Sequence, residues 1–191
     1  MEIEVAKQIL GVEFSFIYDD IIGPVFQMLN IDKNAKILDV GTGEGRMAIS
    51  LALHKHSVLT GEPEEDFSEY AKQDWQGSAK RVKVDHLITF KPFDAKDLPF
   101  EDEEFDVVFM MGALHHINNR SSAIKECIRV VKSGGKFCII EPTAKGLKII
   151  RKRMPNHPDA VDPRDYLKEF PLEIKNSFMF DAFIFKKNEI L

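Results

Sequence analysis

The sequence predicts an α/β fold: a mostly parallel β-sheet with helices on both faces. Three observations carry that prediction. Strand-like and helix-like segments alternate between residues 36 and 140, the pattern of βαβ units. "FDVVFMM", residues 105–111, is apolar throughout rather than alternating, as strands covered on both faces are. "KILDV", residues 36–40, runs directly into the glycine-rich turn "GTGEG", as a first strand feeding a ligand-binding turn does.

The elements follow in order. "EIEVAKQIL" places Ile3, Ala6, Ile9 and Leu10 at helical spacing, and Gly11 ends it. "YDDIIGPVFQMLN" reads as a second helix, bent or restarted at Gly23-Pro24. After "KILDV" come a helix, "GRMAISLALHK", and a strand, "SVLTG". "PEEDFSEYAKQ" is the next helix, with Pro63 in its first turn. Residues 76–86 carry a weak helical pattern, "LITFK" is a strand, and "FDVVFMM" follows. "RSSAIKECIRVV" is a helix that Gly134-Gly135 is expected to terminate. "KFCII" is a strand and "TAKGLKIIRKRM" a helix. "FPLEIKN" and "FMFDAFIFKK" close the chain as a hairpin-like pair, so an antiparallel edge is expected. In such open sheets ligands sit at the carboxyl ends of the strands. Residues 39–46, 61–64, 92–96, 110–117 and 141–146 are therefore the places for a site.

Bulk properties narrow the function. A chain of 191 residues suits one domain. Apolar residues make up 44% and charged residues 30%, the balance of a soluble globular protein. The net charge of −5 argues against nucleic acid or an anionic membrane as partner. Cys127 and Cys138 form no CxxC pair and sit in apolar contexts, which suits buried free thiols. The N-terminus is charged from its second residue, unlike a signal peptide. No apolar run reaches the roughly 20 residues that span a bilayer. A cytoplasmic protein is expected.

The turn after the first strand is "DVGTGEGR", Asp39 to Arg46. Glycines at 41 and 43 permit a tight turn and close approach of a ligand to the backbone. The following helix offers free N–H groups to an anion. A phosphate-binding P-loop would need Gly-Lys-Ser/Thr, where this chain has Gly45-Arg46-Met47. A dinucleotide loop counted from Gly41 meets Arg46 where its third glycine belongs. The pattern present is Asp-x-Gly-x-Gly-x-Gly.

With that pattern the sequence resembles the class I S-adenosylmethionine-dependent methyltransferases. "ILDVGTGEGRMAISLA" carries the resemblance, followed in the family's order by "VLTGEPEE", "FKPFDAKDLPF", "FDVVFMMGALHHI" and "RVVKSGGKFCIIEP". The fourth of these resembles the small-molecule, quinone-biosynthesis-like branch. The resemblance covers roughly residues 30–142. It implies a Rossmann-like seven-stranded sheet with an antiparallel last strand. It implies a methyltransferase domain over residues 31–191, preceded by an N-terminal helical lid over residues 1–30. It implies S-adenosyl-L-methionine as cofactor, S-adenosyl-L-homocysteine as product, and methyl transfer to a small acceptor. Asp39, Gly41, Thr42 and Gly43 would serve the methionine end, Glu62 the ribose hydroxyls, and Asp94 and Ala95 the adenine. Two adjacent hydroxyls suit one carboxylate. Many relatives carry polar residues where this chain has Met110-Met111, so at Met111 a backbone carbonyl is the expected contact.

"GALHHI" puts His115 and His116 at the ligand-facing end of the fourth strand. Adjacent side chains diverge, and no metal-ligand spacing accompanies them, which argues against a metal. His86 and His157 stand alone in sequence. A histidine here can take a proton from an acceptor; His115 is the candidate, with His116 beside the acceptor. In "VEFSFIYDD", Phe16 and Tyr18 are the expected lid contacts. "KGLKIIRKR" collects five cations near the site; a solvated amphipathic helix is the favoured reading, with an anionic acceptor as the sharper alternative. A homo-oligomer or a protein partner completing the pocket stays open. So do two rival readings: a non-catalytic module that binds S-adenosylmethionine, and an NAD-dependent oxidoreductase.

Overall fold

A computed structural model describes residues 1–64 and 74–188. The helix expected over residues 63–73 falls almost wholly outside the described residues. The sheet has seven strands: β1 (Ile37–Val40), β2 (Val58–Gly61), β3 (Ile88–Phe90), β4 (Phe105–Met111), β5 (Val131–Pro142), β6 (Leu172–Lys175) and β7 (Phe180–Lys186). Their order is β3-β2-β1-β4-β5-β7-β6. Strands β1 to β5 pair in parallel, while β7 runs antiparallel to both β5 and β6. The antiparallel strand thus lies inside the sheet, with β6 at the rim, because the β6–β7 connection is too short for a crossover.

Strand periodicity builds two cores. Ile37, Phe109, Cys138, Ile140 and Ile184 point to one face. Leu38, Val40, Val108, Met110, Phe137, Ile139 and Phe185 point to the other. The second face is covered by α6 (Arg120–Val130) through Ala123, Ile124, Cys127 and Val130. The first is covered by α4 (Arg46–Leu53), α5 (Trp75–Arg81) and the N-terminal helices. Burial pushes both cysteine thiols far up, leaving them as small apolar side chains.

The N-terminal segment comprises α1 (Ile3–Leu10), α2 (Val12–Ile17), a π-helical turn (Tyr18–Ile22) and α3 (Gly23–Leu29). Its Ala6, Ile17, Ile21, Ile22 and Val25 are buried in the first core. The bend expected at Gly23-Pro24 is this π turn, with Pro24 in the first turn of α3; proline has no N–H for ordinary i→i−4 bonding.

One boundary differs from expectation. Gly134-Gly135 does not end α6. The helix stops at Val130 and β5 begins at Val131, already paired with Phe105. The glycines lie in a register irregularity between that pair and Val107–Lys136. A Cβ at Gly135 would come 2.8 Å from the Asp106 carbonyl, so the bulge needs glycine there. Helix α7 (Ala144–Arg153) follows β5, started by Thr143, whose side chain accepts from the Gly146 N–H.

Strands β1 and β4 are neighbours, although β2 and β3 lie between them in sequence. Winding reverses at this point, and a crevice opens beyond the carboxyl ends of the strands.

Candidate active site

A cavity of about 740 Å³ fills that crevice, within the roughly 300–1,000 Å³ of small-molecule sites. Its floor is the glycine loop. Gly41, Gly43 and Gly45 have φ of +90°, +48° and +72°, conformations that side chains other than glycine adopt at a cost. A Cβ at Gly41 would also meet Ala113 Cβ at 2.7 Å. The Gly41 N–H donates to the Gly61 carbonyl at 2.9 Å, tying the loop to the end of β2. The Gly43 N–H donates to Glu62 Oε2 at 2.9 Å, which sets the half-buried carboxylate at the cavity wall.

Asp39 stands elsewhere. It is buried beneath the loop and is not among the residues lining the cavity. Its Oδ2 accepts from the Thr60 hydroxyl at 2.9 Å, and Thr60 lies 2.9 Å from the Thr42 hydroxyl. Asp39 Oδ1 is buried without a hydrogen-bond partner. Burial raises its carboxyl to about 7, with the Glu62 charge adding to the rise and Thr60 opposing it. Asp39, expected at the methionine end directly or through water, is therefore linked to the loop by way of Thr60 and Thr42, because its place inside β1 points it into the sheet's packed face.

Thr42, Asp94, Ala95 and Met111 do line the cavity. Asp94 is exposed and accepts from the Lys96 N–H at 2.9 Å, which shapes the turn that presents Ala95.

The cavity lining also holds histidines. His115 is buried on a 3₁₀ turn, Leu114–His116, just after β4. Its Nδ1 lies 2.6 Å from Glu141 Oε2, and that carboxylate's other oxygen accepts from the Leu114 N–H at 3.2 Å. A carboxylate can only accept, so Nδ1 carries a proton, and in the neutral ring the lone pair sits on Nε2. That Nε2 is buried with no hydrogen-bond partner. His157, isolated in sequence, packs against the pair, with ring centroids 4.8 Å from His115 and 5.3 Å from His116. The rings of His115 and His116 are themselves 4.2 Å apart, so the expected divergence of adjacent side chains does not occur on this tight turn. Burial lowers the His157 pKa, opposed by its bond to the Pro158 carbonyl.

The lid residues separate. Phe16 lines the cavity, half-exposed, and meets Phe178 edge-on. Tyr18 does not line it; the Tyr18 hydroxyl lies 2.6 Å from His54 Nε2, on the far side of the π turn. Helical geometry turns residues two apart to different faces. The expected Tyr18 contact with cofactor or substrate is thus replaced by a packing role. Asp20 caps the stretch before β7, accepting from Ser177 and from the Phe178 and Met179 N–H groups. Glu13 bridges Arg46 and Arg153, and all three line the cavity. Of the cations in α7, Arg153 thus faces the site, while Arg151 holds the His157 carbonyl and Asp159.

Sequence reasoning missed Glu141 and His157. Glu141 carries one signal, a carboxylate ending the apolar run of β5. His157 carries none, since only α7 and the following turn bring it back over the strands.

Residues 38–139 match the family described as the methyltransferase domain. The chain belongs to that family. S-adenosylmethionine is the cofactor this membership implies. The methyltransferase chain is 30% identical over 131 residues to the 27-O-demethylrifamycin SV methyltransferase of Amycolatopsis mediterranei, covering 66% of this chain and 47% of that protein. It is 31% identical over 130 residues to the demethylmenaquinone methyltransferase of Staphylococcus haemolyticus, covering 67% and 52%. It spans about half the length of these curated relatives. Among solved structures, a SAM-dependent methyltransferase of Methanosarcina mazei superposes with a TM-score of 0.61 at 22% identity, covering 86% of this chain and 97% of that one; this likeness supports the fold. Among the described residues, no helix is long and apolar enough to cross a membrane.

Proposed function

We propose that this methyltransferase domain moves a methyl group from S-adenosylmethionine to a small-molecule acceptor that enters from the histidine end of the cavity. The observation that carries the reading is the Gly43–Glu62 pair at 2.9 Å. It sets a carboxylate beside the glycine loop, in a cavity large enough for a nucleoside and its tail.

When bound, S-adenosylmethionine supplies a methyl group already activated on a sulfonium. The chain's own residues bind and orient. Glu62 accepts from the ribose hydroxyls. Gly41, Thr42 and Gly43 present backbone to the methionine end, held by the Asp39–Thr60–Thr42 chain. Ala95 and Asp94 flank the adenine, and the Met111 backbone carbonyl meets the ammonium. Phe16 excludes water above. Alignment of this kind is worth roughly 7–11 kcal/mol of barrier. His115 and His116 meet the acceptor, with Glu141 fixing the His115 ring. Arg153 and Arg46 suit an acceptor that carries negative charge. The acceptors named for the relatives, 27-O-demethylrifamycin SV and demethylmenaquinone, are small molecules.

The test is transfer of label from methyl-tritiated S-adenosylmethionine to a panel of phenols, quinols and hydroxylated macrolides. Label in an acceptor, with stoichiometric S-adenosylhomocysteine, is expected. Tight cofactor binding with no transfer across the panel would make the chain a binding module instead.

A further inference from the structure

We infer that His115, His116 and His157 form a binding site for one divalent transition-metal ion, zinc being the best match, at the acceptor end of the cavity. One ligand atom from each of the three imidazoles lies within 4.8 Å of the other two. Two of the three rings have their donor atom set by a hydrogen bond on the opposite nitrogen. His115 Nδ1–H donates to Glu141, and His157 Nδ1–H donates to the Pro158 carbonyl at 3.0 Å. In the neutral rings each Nε2 then carries the lone pair. Carboxylate and carbonyl partners of this kind are the ones that orient metal-binding histidines.

A further observation points to a ligand. His115 is 4% exposed, and its Nε2 is buried without a hydrogen-bond partner; a buried acceptor left unmade is uncommon. His157 is held over the strands from outside, because the Arg151 Nε and Nη2 groups donate to its carbonyl at 3.0 and 2.8 Å. His116 is exposed, and its ring already lies 4.2 Å from that of His115. Metal–nitrogen bonds of about 2.0–2.1 Å require the ligand atoms to draw closer.

The donor set selects the ion. Three imidazoles without thiolate suit zinc, iron, nickel or copper, while magnesium and calcium demand oxygen ligands. Three protein ligands leave a fourth position. All three histidines line the cavity, so that position takes an oxygen or sulfur donor from a molecule within it. That this molecule is the methyl acceptor rests on the methyl-transfer reading; the metal site does not. A ligated His115 Nε2 is not a proton acceptor, so the site replaces the general-base role expected of that residue.

The test uses the untagged chain, stripped with chelator, reloaded with zinc or cobalt(II) and desalted. One zinc per chain by elemental analysis is expected, with visible d–d bands of low-coordinate cobalt. His116→Ala and His157→Ala should each weaken retention at least tenfold. Glu141→Gln should weaken it roughly 10–100-fold. Far-ultraviolet circular dichroism checks the fold of each variant, and the exposed His116 carries the test should His157→Ala misfold. Substoichiometric zinc in the wild-type chain, or retention unchanged in His116→Ala, would overturn the site. S-adenosylhomocysteine affinity, measured on the same stripped sample, reports separately on the methyl-transfer reading.

Discussion

The backbone N–H of Gly43 donates to Glu62 Oε2 at 2.9 Å. The bond joins the turn after β1 to the end of β2, so one carboxylate both closes the loop and faces the cavity. On the proposed function, Glu62→Ala removes the acceptor of two ribose hydroxyls. Hydrogen bonds to a charged group are worth about 1.5–3 kcal/mol. S-adenosylhomocysteine affinity should fall at least tenfold by calorimetry, and the thermal midpoint should fall by several degrees as the Gly43 N–H loses its acceptor. Unchanged affinity would remove Glu62 from the ribose role.

Gly41 tests the loop itself. Its φ of +90°, and the 2.7 Å that would separate an added Cβ from Ala113 Cβ, oppose any side chain. Gly41→Ala should destabilise by about 1–3 kcal/mol, read as a lower urea midpoint. A midpoint equal to wild type would mean that the turn relaxes freely.

Asp39 makes stability depend on pH. Its carboxyl is raised from 3.8 to about 7. Between those values the folded chain holds a proton that the unfolded chain has released. This contribution to stability is therefore full below about pH 4, falls as pH rises, and is lost above about pH 7. Its span is on the order of 4 kcal/mol. Asp39→Asn does not titrate, so its stability relative to wild type should improve between pH 4.5 and pH 8. A pH-independent difference in urea midpoints would contradict the buried, raised carboxyl.

Phe16 and Tyr18 should part in experiment as they do in space. Phe16→Ala should cost little stability, since the ring is 47% exposed, and should weaken ligand binding at the cavity. Tyr18→Phe removes the hydroxyl from His54 and should cost about 1 kcal/mol, with S-adenosylhomocysteine affinity unchanged. Both are measured by calorimetry and thermal melts; the reverse pattern would restore Tyr18 to the lid. Whole-segment deletion is a poor test, because Ala6 and Ile17 belong to the core.

What is legible in the sequence is local. Strand periodicity and the glycine spacing place β1 and its loop, because each signal lies within a few residues, whereas Glu62 is named only by the family resemblance. Met111 ends β4 and Ala95 lies in the loop after β3; the resemblance, not a local pattern, names both. Tyr18 departs from expectation because residues two apart on a helix face different sides, so Phe16 and Tyr18 cannot both line one cavity. Asp39 lies on the expected strand but on the other side of the loop, since strand phase, not proximity, decides which face a side chain takes. Gly134-Gly135 resembles a helix stop because a bulge and a cap use the same residue. His157 and Glu141 converge on His115 only through tertiary folding, and no local pattern encodes that.

The central claim is that the glycine-loop cavity binds S-adenosylmethionine. Isothermal titration of the full chain with S-adenosylhomocysteine, with NAD as the competitor ligand, tests it most directly. The account predicts a one-to-one complex with S-adenosylhomocysteine, weakened at least tenfold by Glu62→Ala, and no heat with NAD. Saturable binding of NAD with none of S-adenosylhomocysteine would contradict it.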